Sequence, residues 1–231
     1  MKINTPLGTL FLNADVDGVQ IGDLKPSAAY QLERGGYLLR WTLDGITAEL
    51  LLCRAQLAPY ESMAVDDCWA GIWRVQVSVP ANTLMFSCLW ELGYLWTEEI
   101  GPESGEGLEA QTWEKSDRDN GILRVTVGTA DAEWLAGHAQ HGLLPHRWSE
   151  LLGMSYGGTM PDPRTGKIDP VVYLKDGFRI VLPVLAAGEQ CQVQFVVAWA
   201  SLNKEEAEDD VSTWLAVDRR PEDILSGAGC L

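Results

Sequence analysis

Residues 37–52, Tyr-Leu-Leu-Arg-Trp-Thr-Leu-Asp-Gly-Ile-Thr-Ala-Glu-Leu-Leu-Leu, leave the backbone few choices. Asp44-Gly45 is the dipeptide that accepts positive φ at both centres of a type I′ turn, and alternating apolar residues flank it. A two-residue loop fixes the register: Leu43 faces Ile46, Trp41 faces Ala48, Leu39 faces Leu50 and Tyr37 faces Leu52, all on one side. The other side then pairs Thr42 with Thr47 and Arg40 with Glu49, a polar and an opposite-charge pair. The first side is the core side.

The same period of two recurs along the chain. A second hairpin is expected at 171–182, centred on Asp176-Gly177 and bracketed by Pro170 and Pro183, which cannot donate to a ladder. Further strands are expected at Thr9–Leu12, Ile72–Val79, Thr83–Leu92, Ile122–Val127, Cys191–Ala200 and Thr213–Val217. In Ile72–Val79 the apolar Trp73, Val75, Val77 and Val79 alternate with Arg74, Gln76 and Ser78, so one face is wet. The expected fold class is mainly β (α+β), with antiparallel β-sandwich-like sheets.

One stretch breaks the period. Between Thr129 and Gly153 apolar residues fall at helical spacing, with Thr129 as N-cap, Gly142 as a stop, and Pro145 opening a second helix that carries Trp148, Leu151 and Leu152. A helical hairpin near residues 130–153 is therefore inserted among the strands. Glu98–Glu109 and Lys204–Asp210 are acidic and read as solvated loops. The 231 residues suit a single domain, 1–231; a two-lobed division would fall near 98–110.

Net charge is −16, from 33 acidic and 17 basic residues, which disfavours nucleic acid and anionic lipid surfaces. The longest apolar run, Val193–Leu202, is about half the ~20 residues of a spanning helix, so no membrane is expected as a partner. The first residues carry no apolar run of the kind a secretory leader needs. Five scattered cysteines, an odd number with no C-x-x-C pair, fit buried thiols in a reducing cytoplasm.

Chemistry-bearing residues are sparse. His138, His141 and His146 fall within nine residues, and the first two would share a helix face, so they are the candidate metal ligands. The spacing lacks the H-E-x-x-H of zinc hydrolases, and a last helical turn also favours cationic side chains on electrostatic grounds alone. The long loop 153–170 offers Tyr156, Asp162 and Arg164 as candidate binding residues. Its Gly166-Lys167 is not a phosphate loop, because Pro161 and Ile168 replace the required glycine and hydroxyl. No Gly-x-Ser-x-Gly elbow occurs, and no cysteine has a local histidine partner. Ten tryptophans stand against six tyrosines and four phenylalanines. Most lie on apolar stripes, whereas Trp69 and Trp96, beside Asp67 and Glu98, are candidate surface anchors.

These features point to a non-enzymatic acidic module that binds, neutralises or escorts a basic protein partner, without a cofactor. The alternative is a metal-dependent enzyme or metal-binding protein built on the His138/His141/His146 cluster. A carbohydrate binder using exposed tryptophan ranks third.

Overall fold

The computed structural model describes residues 1–57, 64–91, 98–105 (backbone), 107–116, 121–205 and 207–228. Two antiparallel sheets form the protein. The smaller runs in the order β1 (Lys2–Thr5), β2 (Gly8–Val16), β8 (Leu84–Trp90), β13 (Gly177–Leu182), β12 (Val171–Leu174), with β3 (Val19–Gln20) paired to β2. The larger has eight strands: β4 (Ala28–Gln31), β5 (Tyr37–Leu43), β6 (Ile46–Arg54), β7 (Asp67–Val77), β14 (Gln190–Asn203), β11 (Gly121–Ala130), β10 (Leu108–Ser116) and β9 (Glu98–Gly105). The expected mainly-β sandwich is the observed fold.

The first hairpin has the register a two-residue loop dictates, from Leu43 opposite Ile46 to Tyr37 opposite Leu52. Positive φ falls on Gly45 (+77°) and not on Asp44, so the turn is not the expected type I′. Arg40 Nε donates to Glu49 Oε1 at 2.8 Å across the polar face. On the inner face, Trp41 and Trp73 lie with ring centroids 5.3 Å apart. They join Leu39, Leu50 and Leu52 against Leu10, Leu12, Phe86, Phe178 and Ile180 of the smaller sheet. The sheets interlock closely: a side chain at Gly71 would come within 2.5 Å of Leu12 Cδ2.

Five further expectations are corrected. The hairpin 171–182 turns one residue earlier than Asp176-Gly177 implies: Leu174 pairs with Gly177 and Tyr173 with Phe178, so Lys175-Asp176 is the loop. Gly177 serves the strand instead, with φ +138°, and a Cβ there would meet Cys88 O at 2.1 Å. Glu98–Gly105 is not a loop but an edge strand paired to β10; charge on an edge strand opposes edge-to-edge aggregation.

Thr213–Val217 is helical, within α2 (Ser212–Val217). Its packing on β11 overrides a short alternating pattern: Thr213 Oγ1 and Thr126 Oγ1 share a hydrogen bond at 2.8 Å, and Val217 fills the space over Gly128. The inserted hairpin has one full helix, α1 (Ala132–Gln140), followed by a single 3₁₀ turn at His146–Trp148. Its N-cap is Asp131, which accepts from Trp134 N at 2.7 Å, rather than Thr129. Gly142, at φ +80°, does end the helix. Leu135, Ala139, Leu144, Trp148 and Leu152 deliver this insertion to the main core.

The outer face of the large sheet has its own apolar cluster. Leu51, Cys53, Cys68, Ala70, Ile72 and Val196 pack against Ala216 and Val217 of α2 and against Ile224 and Ala228 of α3 (Pro221–Ala228). Among the described residues, no helix is long and apolar enough to cross a membrane.

Candidate functional site

At one end of the sandwich a groove of about 330 Å³ opens between β1 and four strands of the large sheet, at the small end of the range for ligand pockets. Its position follows from register. Tyr37 faces Leu52, Arg54 faces Trp69, and Asp67 faces Trp199, so the last rungs of β5, β6, β7 and β14 stack their side chains beside Lys2, Ile3 and Asn4.

The geometry around Trp69 is fixed from three sides. Trp69 Nε1 donates to Asp67 Oδ2 at 3.1 Å, and Arg54 Nη2 pairs with the same oxygen at 3.0 Å. The Arg54 guanidinium lies 5.7 Å from the Trp69 ring centroid, a cation–π arrangement. The other carboxylate oxygen of Asp67 accepts from Cys68 N at 2.9 Å, which locks the acceptor in place. Tyr37 is 47% exposed, whereas Trp199 is buried at the groove's base. Lys2 Nζ binds Glu91 at 3.0 Å and caps the Phe11 ring at 4.5 Å. The result combines aromatic surface with planar charged and amide groups.

Of the residues singled out from sequence, Trp69 lies in this groove. Trp96 falls outside the described residues. Tyr156, Asp162 and Arg164 lie on the loop 153–170, which contributes nothing to the groove walls. Tyr156 and Arg164 are exposed, and Asp162 is a structural acceptor, taking hydrogen bonds from Arg164 N at 2.7 Å and Thr165 N at 3.1 Å. Sequence reasoning missed Tyr37, Arg54 and Trp199. Asp67 carried a signal, since residues i and i+2 of a strand share a face and an acceptor there can orient a tryptophan.

The histidines are placed separately. His138 is buried, its ring edge-on to Trp134 at 6.2 Å, and burial lowers its pKa from the ordinary value. His141 caps the end of α1 and His146 opens the 3₁₀ turn, both exposed or nearly so. Among the described residues no three His, Cys, Asp or Glu side chains gather as metal ligands. Burial makes two of the cysteines poor nucleophiles: Cys88 is pushed up to about 12, and Cys191 is raised by the same cause.

A second group of perturbed side chains joins the two sheets elsewhere. Tyr173 of β12 donates its hydroxyl to Glu109 Oε2 of β10. Burial raises the pKa of Glu109, and the nearby Asp169 and Asp131 charges add to that; burial also raises Asp169.

No protein-family model matches the sequence, and no curated protein is similar to it. Among solved structures, the chain is similar to a human-microbiome protein assigned as a kojibiose phosphorylase, at 9% identity and a TM-score of 0.52. The match covers 94% of this chain and 26% of that one, so the protein spans about a quarter of its length. This likeness, which is one of fold, overturns the expectation of a non-enzymatic acidic module that docks a basic protein. Seven of the 33 acidic residues have a structural use. Asp15, Asp17, Asp67, Asp131, Asp162, Asp169 and Asp210 each accept hydrogen bonds from backbone N–H groups at turns and element ends. Those carboxylates hold the chain's own loops.

Proposed function

We propose that this protein binds a short oligosaccharide in the Trp69 groove, as the carbohydrate-recognising part of a carbohydrate-active enzyme. The observation that carries the reading is the pre-set aromatic–carboxylate–guanidinium cluster of Trp69, Asp67 and Arg54, open to a groove with Tyr37 at its mouth. A pyranose ring has an apolar C–H face that suits an aromatic surface and vicinal hydroxyls that suit a fixed carboxylate or guanidinium. The name of the structurally similar protein, a phosphorylase of the disaccharide kojibiose, gives the first ligand to test. A reducing compartment goes with this reading, supported by the buried free thiols of Cys88 and Cys191.

Calorimetric titration of the purified chain with kojibiose, maltose and glucose tests it. Saturable binding of at least one sugar is expected. Trp69→Ala should weaken that binding tenfold or more, a loss of about 1.4 kcal/mol, while Tyr156→Ala on the separate loop leaves it unchanged. Absence of saturable binding to all three sugars, or equal affinity in Trp69→Ala, would sink the proposal.

A further inference from the structure

The outer face of the large sheet carries two adjacent rows that follow from strand register. Leu38, Leu51 and Ile72 form an apolar row across β5, β6 and β7. Beside it, Arg40, Glu49, Arg74 and Gln192 form a polar row that continues onto β14. Where α3 approaches the sheet, Leu225 closes one side, and a groove of about 290 Å³ lies over both rows.

The polar row is not balanced within itself. Glu49, the one carboxylate in the groove wall among the described residues, is taken up by Arg40 Nε at 2.8 Å and by Arg40 Nη2. Arg74 stands directly opposite Glu49 but donates instead to Gln192 Oε1, at 3.2 Å. That contact settles which way the amide points: two donors repel, so the oxygen meets the guanidinium and the nitrogen is left over. Gln192 is only 5% exposed, and its Nε2 is buried with no hydrogen-bond partner among the described residues. A buried amide N–H without an acceptor is rare in native proteins, and here it belongs to a residue that lines a cavity.

We infer that this groove is a second ligand site, distinct from the Trp69 groove, and that it takes a small monocarboxylate with an apolar tail. The carboxylate supplies an acceptor for the Gln192 amide and a counter-charge for the exposed Arg74 guanidinium, which favours a planar, two-oxygen partner. The tail lies along Leu38, Leu51 and Ile72, against Leu225. Charge complementarity supports an anion: two arginines face one glutamate in this row, on a chain whose net charge is −16. A neutral apolar ligand would leave the same donors unmatched, and an amine would add a third cation.

The full chain, labelled with ¹⁵N, tests this by titration with hexanoate, hexanol and hexylamine, followed through the side-chain amide of Gln192 and the backbone amide of Leu225. Hexanoate should bind saturably and move both signals, and hexylamine should move neither. Arg74→Gln and Gln192→Leu, each checked for native circular dichroism, should weaken hexanoate tenfold or more. Trp69→Ala should leave it unchanged, which keeps this site's failure separable from that of the sugar groove. Hexanol binding as tightly as hexanoate would overturn the carboxylate assignment, and no saturable hexanoate binding to the unsubstituted protein would overturn the site, whatever the variants do.

Discussion

The two faces of the large sheet are built differently. The inner face uses bulk: Trp41, Trp73, Trp113 and Phe195 are fully buried and face the leucines and phenylalanines of the smaller sheet. The outer face uses small residues and polar bonds. Cys53, Cys68, Ala70, Ala110 and Ala198 keep its surface low, so that the short helices α2 and α3 sit close. At Gly128 the approach is so tight that a Cβ would lie 2.7 Å from Val217 Cγ2. Around this patch run Arg124, Gln192 and Gln194, each more than nine-tenths buried. One face holds the sandwich shut by apolar area; the other attaches a C-terminal segment through directional bonds, and both grooves lie where these arrangements end.

Trp73→Ala is the severest way to break the comparison. Trp73 is fully buried against Trp41, and removing it should cost roughly 3–5 kcal/mol, read as a lower midpoint in urea denaturation. On the outer face the equivalent anchor is a charge. Arg124 Nε donates to Glu114 Oε1 at 2.6 Å, and its two other nitrogens bind the carbonyls of Asp210 and Ala207. Ala207 and Asp210, in a stretch whose composition marks it as a solvated loop, are thereby pinned to the sheet. Arg124→Met strands a buried carboxylate and two carbonyl acceptors and should cost about 3 kcal/mol. Adding Glu114→Leu should recover much of that loss in the same assay, because the penalty lies in the uncompensated charge. A Trp73 variant has no such partner rescue.

The inner face was legible in the sequence because its rule is short-range. A two-residue Asp-Gly loop and strict alternation placed Trp41 opposite Ala48 and Leu39 opposite Leu50 without any tertiary information. The rule failed at Gly177, where the glycine answers a neighbouring strand, Cys88 of β8, instead of the local turn. The outer face was hidden for the same kind of reason. Alternation in β7 marks Arg74 and Gln76 as wet but cannot show that Ile72 on that face meets a helix more than a hundred residues later. The candidate sites follow suit. Trp69 could be picked out by its Asp67 neighbour, whereas Tyr37, Arg54, Trp199 and Lys2 reach it from four other strands. Gln192 reads as one more glutamine in a strand; only its missing acceptor distinguishes it.

The clasp between Tyr173 and Glu109 offers the gentlest way to sharpen the contrast, since it ties the two sheets by a polar bond beyond the reach of the apolar core. Burial holds Glu109 above the usual carboxylate range, and Asp169 and Asp131 push it the same way. A carboxyl that titrates at higher pH when folded than when unfolded binds its proton preferentially in the folded state. Its stabilising contribution is therefore complete below the ordinary value, 4.5, and is lost as pH rises through the raised folded value. Asp169, raised by burial, acts in the same sense from its ordinary 3.8, while His138, lowered by burial, acts in the opposite sense and loses stability as pH falls. Glu109→Gln isolates the first of these. Glutamine keeps an acceptor for the Tyr173 hydroxyl but carries no charge at any pH. At pH 7 the variant should melt slightly higher than the unsubstituted protein, by about 1–3 °C for a half-buried group in a domain of this size. The advantage should shrink towards zero as the pH is lowered to about 4. An advantage that persisted at pH 4 would mean that the glutamine packs better for some other reason, and a variant that melts lower at pH 7 would show that the charged carboxylate, not the proton, holds the clasp.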